Sequence, residues 1–278
     1  MSDSIRFLDR KVLLFLSVDI IGSTEYKNRS PSQYHWLKFF KTFYEDFPIF
    51  FIHKIEEQKP IAGKPTIWKS LGDEIIFECE IDNHQTAQII IKAFSKAVFE
   101  YSSKISENSV SLKGSAWIAG FPVINAIVDS NSDKDYIGPQ IDIGFRISKF
   151  ASEVKFIISV ELMLLLSKTN DSYFKFYLEE PQILKGVLKN KPYPIIWIKN
   201  ESANDSKLNL LLNKHTTHVD KDQLQDYCTN FIKEAGQPFM IPFLSNDPLF
   251  SSLPDWYDEE FNQIKLILST SEDEFNKE

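Results

Sequence analysis

Lys11-Val12-Leu13-Leu14-Phe15-Leu16-Ser17-Val18-Asp19-Ile20-Ile21-Gly22-Ser23-Thr24 is the stretch on which the fold turns. Residues 11–21 are almost wholly apolar and rich in β-branched side chains, the pattern of a central strand covered on both faces. One carboxylate, Asp19, stands near its end, and Gly22-Ser23-Thr24 breaks it. The sheet would fix Asp19 in position at its edge. Gly22 lets the backbone approach a ligand closely, and the amides of Gly22, Ser23 and Thr24, ahead of a helix, can receive phosphate oxygens. A divalent ion on Asp19 would bridge to the same phosphates. Read alone, the stretch is equally a buried strand ending in an Asx-type turn.

Outward from this strand, residues 33–57 carry Trp36, Phe39, Phe40, Phe43 and Phe47 at helical spacing. They predict a long helix with an interruption at Pro48. Residues 65–80 predict strand, tight turn and strand, the turn falling at Leu71-Gly72-Asp73. An amphipathic helix follows over 84–104, with Ala87, Ile90, Ile91, Phe94 and Val98 on one face. Residues 110–128 predict two strands joined near Gly120-Phe121-Pro122, and 130–135 a polar loop. Gly138-Pro139 suits the start of a helix reaching Phe150. A strand at 155–160, a short helix at 161–167 and strands at 173–178 and 193–199 complete the pattern. The order is that of an α+β fold on a mostly antiparallel sheet. From residue 200 the texture changes to a polar linker, a helix near 220–234, a proline-rich stretch, a last helix near 256–268 and an acidic tail. The division expected is a domain over 1–199 and an extension over 200–278.

Composition narrows the function. The chain has 278 residues, 43% hydrophobic and 25% charged, enough to build a core. Its net charge of −8 offers no basic face for nucleic acid. Two distant cysteines, Cys79 and Cys228, form no disulfide framework and suit a reducing cytoplasm. The polar N-terminus lacks a signal-peptide core, and the apolar runs are too short to span a membrane.

Two further stretches carry chemistry. Lys69-Ser70-Leu71-Gly72-Asp73-Glu74 puts an acid in a turn between strands. With Asp19 it could hold two divalent ions, the arrangement that activates a hydroxyl and stabilises a leaving oxyanion. Asp135-Tyr136-Ile137-Gly138 precedes a helix on which Asp142 and Arg146 stand four apart and share a face. Singly these are a hairpin turn and a surface ion pair.

Taken together over residues 12–199, the blocks resemble the catalytic domain of class III nucleotidyl cyclases. Asp19-Ile20-x-Gly22-x-Thr24 and Lys69-x-x-Gly72-Asp73 resemble the two metal-aspartate motifs. Residues 138–146 resemble the family's Gly…Asn-x-x-x-Arg helix, and Leu184-Lys185-Gly186-Val187 before Pro194-Ile195-Ile196-Trp197 its closing hairpin. The resemblance implies a ferredoxin-like domain that pairs head to tail into a homodimer with shared active sites. It implies a ribonucleoside triphosphate substrate and two Mn2+ or Mg2+ ions on Asp19, Asp73 and the Ile20 carbonyl. Gly22, Ser23 and Thr24 would hold the triphosphate. Arg146 of the second copy would stabilise the transition state, and Lys185 would contact the terminal phosphates. Lys69 and Asp135 stand where the family reads the base.

Two departures sharpen the resemblance. The family's ribose-orienting Asn is Asp142, which can accept but not donate when ionised. Ser23 replaces the usual Phe, and Gly22-Ser23-Thr24-Glu25-Tyr26-Lys27 resembles the pyrimidine cyclases of the bacterial Pycsar anti-phage system. Those are stand-alone cyclases making cyclic UMP or cyclic CMP, which activates a separate effector. The resemblance implies UTP as substrate ahead of CTP. The Lys69/Asp135 pair keeps a purine cyclase open, and a non-enzymatic module of the same fold is the remaining alternative. His215 and His218 read as a solvated pair rather than a zinc site, the two cysteines as buried, Phe39, Phe40 and Phe43 as core, and Trp256 as an anchor for the tail.

Overall fold

A computed structural model describes residues 4–7, 10–58, 63–130, 133–169, 171–200, 217–253, 257–259, 262–263 and 266. The main sheet has eight strands: β2 (Val12–Ile21), β3 (Thr66–Leu71), β4 (Glu74–Ile81), β5 (Ser111–Gly120), β8 (Lys155–Ile158), β9 (Phe176–Ile183), β10 (Pro192–Lys199) and β11 (Thr217–His218). Their order is β11-β9-β10-β8-β5-β2-β4-β3. Only β5 and β8 run parallel; every other adjacent pair is antiparallel. The half β5-β2-β4-β3, with helices between β2 and β3 and between β4 and β5, is the ferredoxin-like arrangement that the family resemblance implies, on the α+β pattern expected from the element order.

β2 lies at the centre because it can be covered on both faces: Val12, Leu14, Leu16 and Val18 are buried on one and Leu13 and Phe15 on the other. One face meets α2 (Gln33–Glu56) and α3 (His84–Ile105) through a set of phenylalanines. Phe47, Phe51 and Phe94 pack edge-on or tilted about Phe77 of β4, with ring centroids 5.3 to 6.2 Å apart. Asn83 caps α3 by accepting the Thr86 amide at 2.8 Å. α2 runs unbroken through Pro48, against the expected interruption. Pro48 removes one rung of the ladder, but Phe40, Phe43, Phe47, Phe51 and Ile55 are buried on either side of it and hold both halves against the sheet.

The opposite face carries Phe15, Ser17 and Asp19 of β2, Glu74 and Glu78 of β4, and Lys113, Ser115 and Trp117 of β5, in register across the strands. A second sheet of β1 (Ser4–Phe7), β6 (Ala126–Ser130) and β7 (Asp133–Ile137) reaches this face. Tyr136 of β7 stands edge-on to Phe15 and to Trp68, each at 5.1 Å. The polar stretch 130–135, expected as a loop, therefore contains the start of β7. Pairing with β6 outweighs the low strand propensity of Asp133 and Asp135. α4 (Pro139–Ile147) covers the same face, opened by Pro139 in its first turn. Its Gly144 lies so close to Trp117 that a Cβ there would sit 2.2 Å from the indole.

The remaining elements include α1 (Ser23–Arg29), α5 (Val160–Leu166) and α6 (Lys221–Ala235). The strand expected at 173–178 begins later and runs on as β9. α6 carries Leu224, Cys228 and Ile232 into the main core, and Phe231 and Phe239 pack on Tyr193. Asp247 accepts both the amide and the Nδ1 proton of His84 at the start of α3, at 2.7 and 2.6 Å. Cys79 and Cys228 are buried thiols, and Phe40 and Phe43 are core. His218 is exposed, edge-on to Tyr177 at 5.3 Å. His215, Trp256, the linker after residue 200 and the acidic tail lie outside the described residues.

Candidate active site

Asp19 sits in a row of three ionisable side chains across three strands. The register pairs it with Glu74 of β4 on one side and Lys113 of β5 on the other. The Lys113 ammonium lies 2.9 Å from Asp19 Oδ2. Ser17, two residues earlier on the same face, donates to Glu74 Oε1 at 2.5 Å. Asp73 occupies the two-residue turn between β3 and β4, and the Ser23 hydroxyl donates to its Oδ2. Tyr44 of α2 ties that turn down by donating to the Gly72 carbonyl at 2.5 Å.

The carboxylates feel one another. Burial raises the Glu74 pKa, and the charges of Asp19 and Asp73 push it further up, opposed by the Ser17 hydrogen bond and by Lys113. The Tyr44 phenol is raised by burial and then by Asp73, Asp19 and Glu74. Asp19, Asp73 and Glu74 thus lie near enough to feel one another's charge, with the Lys113 ammonium beside Asp19. Among the described residues, no three His, Cys, Asp or Glu side chains close round one point as a ready-made metal cage. The donors here are the carboxylate oxygens of Asp19 and Asp73, which are hard ligands. That is the donor set Mg2+ and Mn2+ favour at nucleotide sites, so these residues fit the ions.

Beside this pair, Gly22 turns the chain from β2 into α1 with φ +82°, a left-handed conformation in which a Cβ would be strained. Ser23 begins α1 and is 5% exposed, its hydroxyl engaged by Asp73, so its backbone is what remains for a ligand. Ile20 is buried.

A second group joins the two sheets. Lys69 Nζ lies 2.7 Å from Asp135 Oδ1 of β7. β3 shifts register against β4 between Ile67 and Lys69, leaving Trp68 without a paired residue. Such a bulge re-aims side chains: Trp68 donates its indole N–H to the Lys134 carbonyl at 2.8 Å while the neighbouring Lys69 reaches Asp135. The Lys69 ammonium also stands 4.0 Å from the centre of the Trp68 ring.

A third group gathers round α4. Arg146 donates through Nε to the Lys185 carbonyl at 2.6 Å and through Nη1 to the Asp142 carbonyl at 2.8 Å. Asp142 Oδ1 lies 3.6 Å away, and its side chain is largely exposed. The Lys185 side chain is exposed. Within one chain, among the described residues, no hydrogen bond or ion pair links Arg146, Lys69 or Asp135 to Asp19 or Asp73. The candidate residues therefore form three clusters. A cleft of about 250 Å³ beside Asp19 and Glu74 continues past Lys113 and Ser115 to Phe145 and Ser148 at the end of α4.

Sequence reading missed Glu74, Lys113, Ser17 and Tyr44. Glu74 adjoins Asp73 and could have been found by strand alternation. Lys113 faces Asp19 only through a register that no local pattern reveals.

The architecture is that of class III nucleotidyl cyclase catalytic domains. It matches the adenylyl cyclase CyaB from P. aeruginosa at a TM-score of 0.52 and 14% identity, over 74% of this chain and 100% of that one. It also matches the catalytic core of a rhodopsin-guanylyl cyclase with converted specificity, solved with ATPalphaS, at a TM-score of 0.50 and 9% identity, over 72% of this chain and 100% of that one. At such identities the likeness speaks to the fold. No protein-family model and no curated protein matches the sequence. No helix among the described residues is long and apolar enough to cross a membrane.

Proposed function

We propose that the protein is a nucleotidyl cyclase that converts UTP into 3′,5′-cyclic UMP and pyrophosphate. The observation that carries this reading is the convergence of Asp19 and Asp73, from a strand end and the neighbouring turn, within a cyclase fold. Asp19, Asp73 and the Ile20 carbonyl would hold two Mn2+ or Mg2+ ions, which when bound lower the pKa of the ribose 3′-hydroxyl and offset charge on the departing pyrophosphate. Ser23 steadies Asp73 through its hydroxyl. The backbone amides from Gly22 to Thr24 receive the triphosphate. Arg146, anchored by the Lys185 and Asp142 carbonyls, reaches from a second copy to the α-phosphate as charge builds there. Lys185 meets the terminal phosphates, and Asp142 accepts from the ribose. Lys69 and Asp135, already paired, meet the base.

On this reading the protein is a homodimer with shared active sites, and residues 1–199 are the cyclase domain. It works in the cytoplasm, where its product would activate a separate effector in anti-phage defence. The Gly22-Ser23-Thr24-Glu25-Tyr26-Lys27 stretch supports a pyrimidine base by its likeness to the pyrimidine cyclases, and uracil is placed ahead of cytosine on that family likeness alone. The Lys69–Asp135 pair supports the second reading, a purine cyclase, since an ammonium beside a carboxylate suits the acceptor and donor edges of adenine.

The test is incubation of the protein with Mn2+ and each of UTP, CTP, ATP and GTP, with cyclic products identified by mass. Cyclic UMP as the main product supports the assignment, another cyclic nucleotide reassigns the base, and no cyclic product from any of the four overturns it.

A further inference from the structure

We infer that Lys113 is the resident counter-cation of Asp19: it holds the carboxylate that a divalent ion would take, and so sets how tightly the substrate-free protein binds metal. This rests on the assignment of Asp19 to metal binding. The register places Glu74, Asp19 and Lys113 side by side on β4, β2 and β5, all on one face. Directly opposed like charges destabilise a sheet, and opposed unlike charges stabilise it. The Glu74–Asp19 pairing would by itself be repulsive, with Asp73 one residue away adding to it. Two features offset this: Ser17 donates to Glu74, and the Lys113 ammonium sits 2.9 Å from Asp19. Lys113 also favours the ionised form of Glu74.

A metal ion entering at Asp19 must displace this ammonium. The displaced group has somewhere to go. The cleft continues past Lys113 to Ser115, two residues on and on the same face, whose hydroxyl is buried to 1% exposure and has no hydrogen-bond partner among the described residues. An ammonium turned toward it gains an acceptor, and a triphosphate arriving with the metal supplies a second. Lys113 therefore disfavours bare metal and favours metal that arrives with substrate, without being itself a metal ligand.

The experiment is a titration of the substrate-free protein with Mn2+, reading free Mn2+ by electron paramagnetic resonance. Lys113→Met keeps the stem and removes the charge. It should tighten Mn2+ binding about two- to five-fold, the range a cross-strand ion pair represents. Lys113→Arg should restore wild-type affinity. The metal-free melting temperature of Lys113→Met should fall, and in an Asp19→Asn background the same change should lower it less. If Lys113→Met does not fold, Lys113→Gln is read in the same way. Mn2+ binding that is lost in Asp19→Asn but unchanged or weaker in Lys113→Met overturns the inference and leaves the metal assignment standing. Absence of Mn2+ binding by the wild-type protein overturns both.

Discussion

Lys69 and Asp135 meet with Nζ 2.7 Å from Oδ1, although they stand on strands of two different sheets and 66 positions apart. The pair fastens the β6–β7 hairpin to the edge of the main sheet. It also presents one ammonium and one carboxylate, the two polarities needed to read the edge of a base. Replacing Lys69 by Ala is expected to lower kcat/KM for the preferred nucleotide by about ten-fold, one hydrogen bond's worth at a charged group. The ranking of the four triphosphates should flatten. An equal loss with all four would assign the pair to holding the hairpin.

Asp19→Ala and Asp73→Ala should each cut turnover by about 10³-fold or more, since metal stabilisation of the transition state is worth several kcal/mol. Neither should unfold the protein, because Asp19 is partly exposed and Asp73 lies in a turn. Circular dichroism beside the activity assay checks both halves. Full turnover in either variant would remove the metal assignment.

Arg146→Ala should lower kcat by about 10²- to 10³-fold, as for loss of one donor to a developing charge, with KM little changed. Because, among the described residues, no hydrogen bond or ion pair joins Arg146 to Asp19 or Asp73 within one chain, mixing inactive Asp73→Ala with inactive Arg146→Ala should restore part of the activity. Mixed chains that stay inactive would argue against a site built from two copies.

Gly144→Ala tests how α4 is seated. A Cβ there would lie 2.2 Å from the Trp117 ring, a clash with a rigid buried indole. The expected destabilisation is about 1–3 kcal/mol, the cost of overpacking a core, and it should lower the melting temperature. An unchanged melting temperature would mean that the indole gives way freely.

Glu161, at the start of α5, has its pKa raised from 4.5 to about 7, first by complete burial and against hydrogen bonds from its own backbone, Ser159 and Gln140. Its Oε1 has no partner among the described residues. The folded protein therefore keeps this proton to about pH 7, while the unfolded chain loses it near 4.5. Its contribution to stability is fullest at acid pH and is lost as pH rises through that window, by up to about 3 kcal/mol. Melting between pH 4.5 and 7 should show this slope, and Glu161→Gln should flatten it and be the more stable protein at pH 8. A variant with the same slope as wild type would assign the pH dependence elsewhere.

Much of the fold was legible because local patterns carried it. The apolar run of β2, the helical spacing of Phe40, Phe43 and Phe47, the turn at Gly72-Asp73 and the Gly138-Pro139 helix start each agree with their surroundings. The misses came where tertiary contact overrode local preference. Pro48 should interrupt α2, but the helix continues through it with buried phenylalanines on both sides. The polar residues before Tyr136 should loop, but pairing with β6 draws them into a strand.

The division between the two sources is physical. The resemblance of short motifs along the chain singles out Asp19, Asp73, Lys69, Asp135, Asp142, Arg146 and Lys185 as candidates, because a motif is a local property of the sequence. Which of them touch depends on strand register, the bulge at Trp68 and the hairpin folded across the sheet. Those are set by packing between segments far apart in sequence. Only the tertiary structure could therefore bring Lys69 to Asp135, seat Lys113 opposite Asp19, and leave Arg146 without a hydrogen bond or ion pair to Asp19 or Asp73 within its own chain, among the described residues.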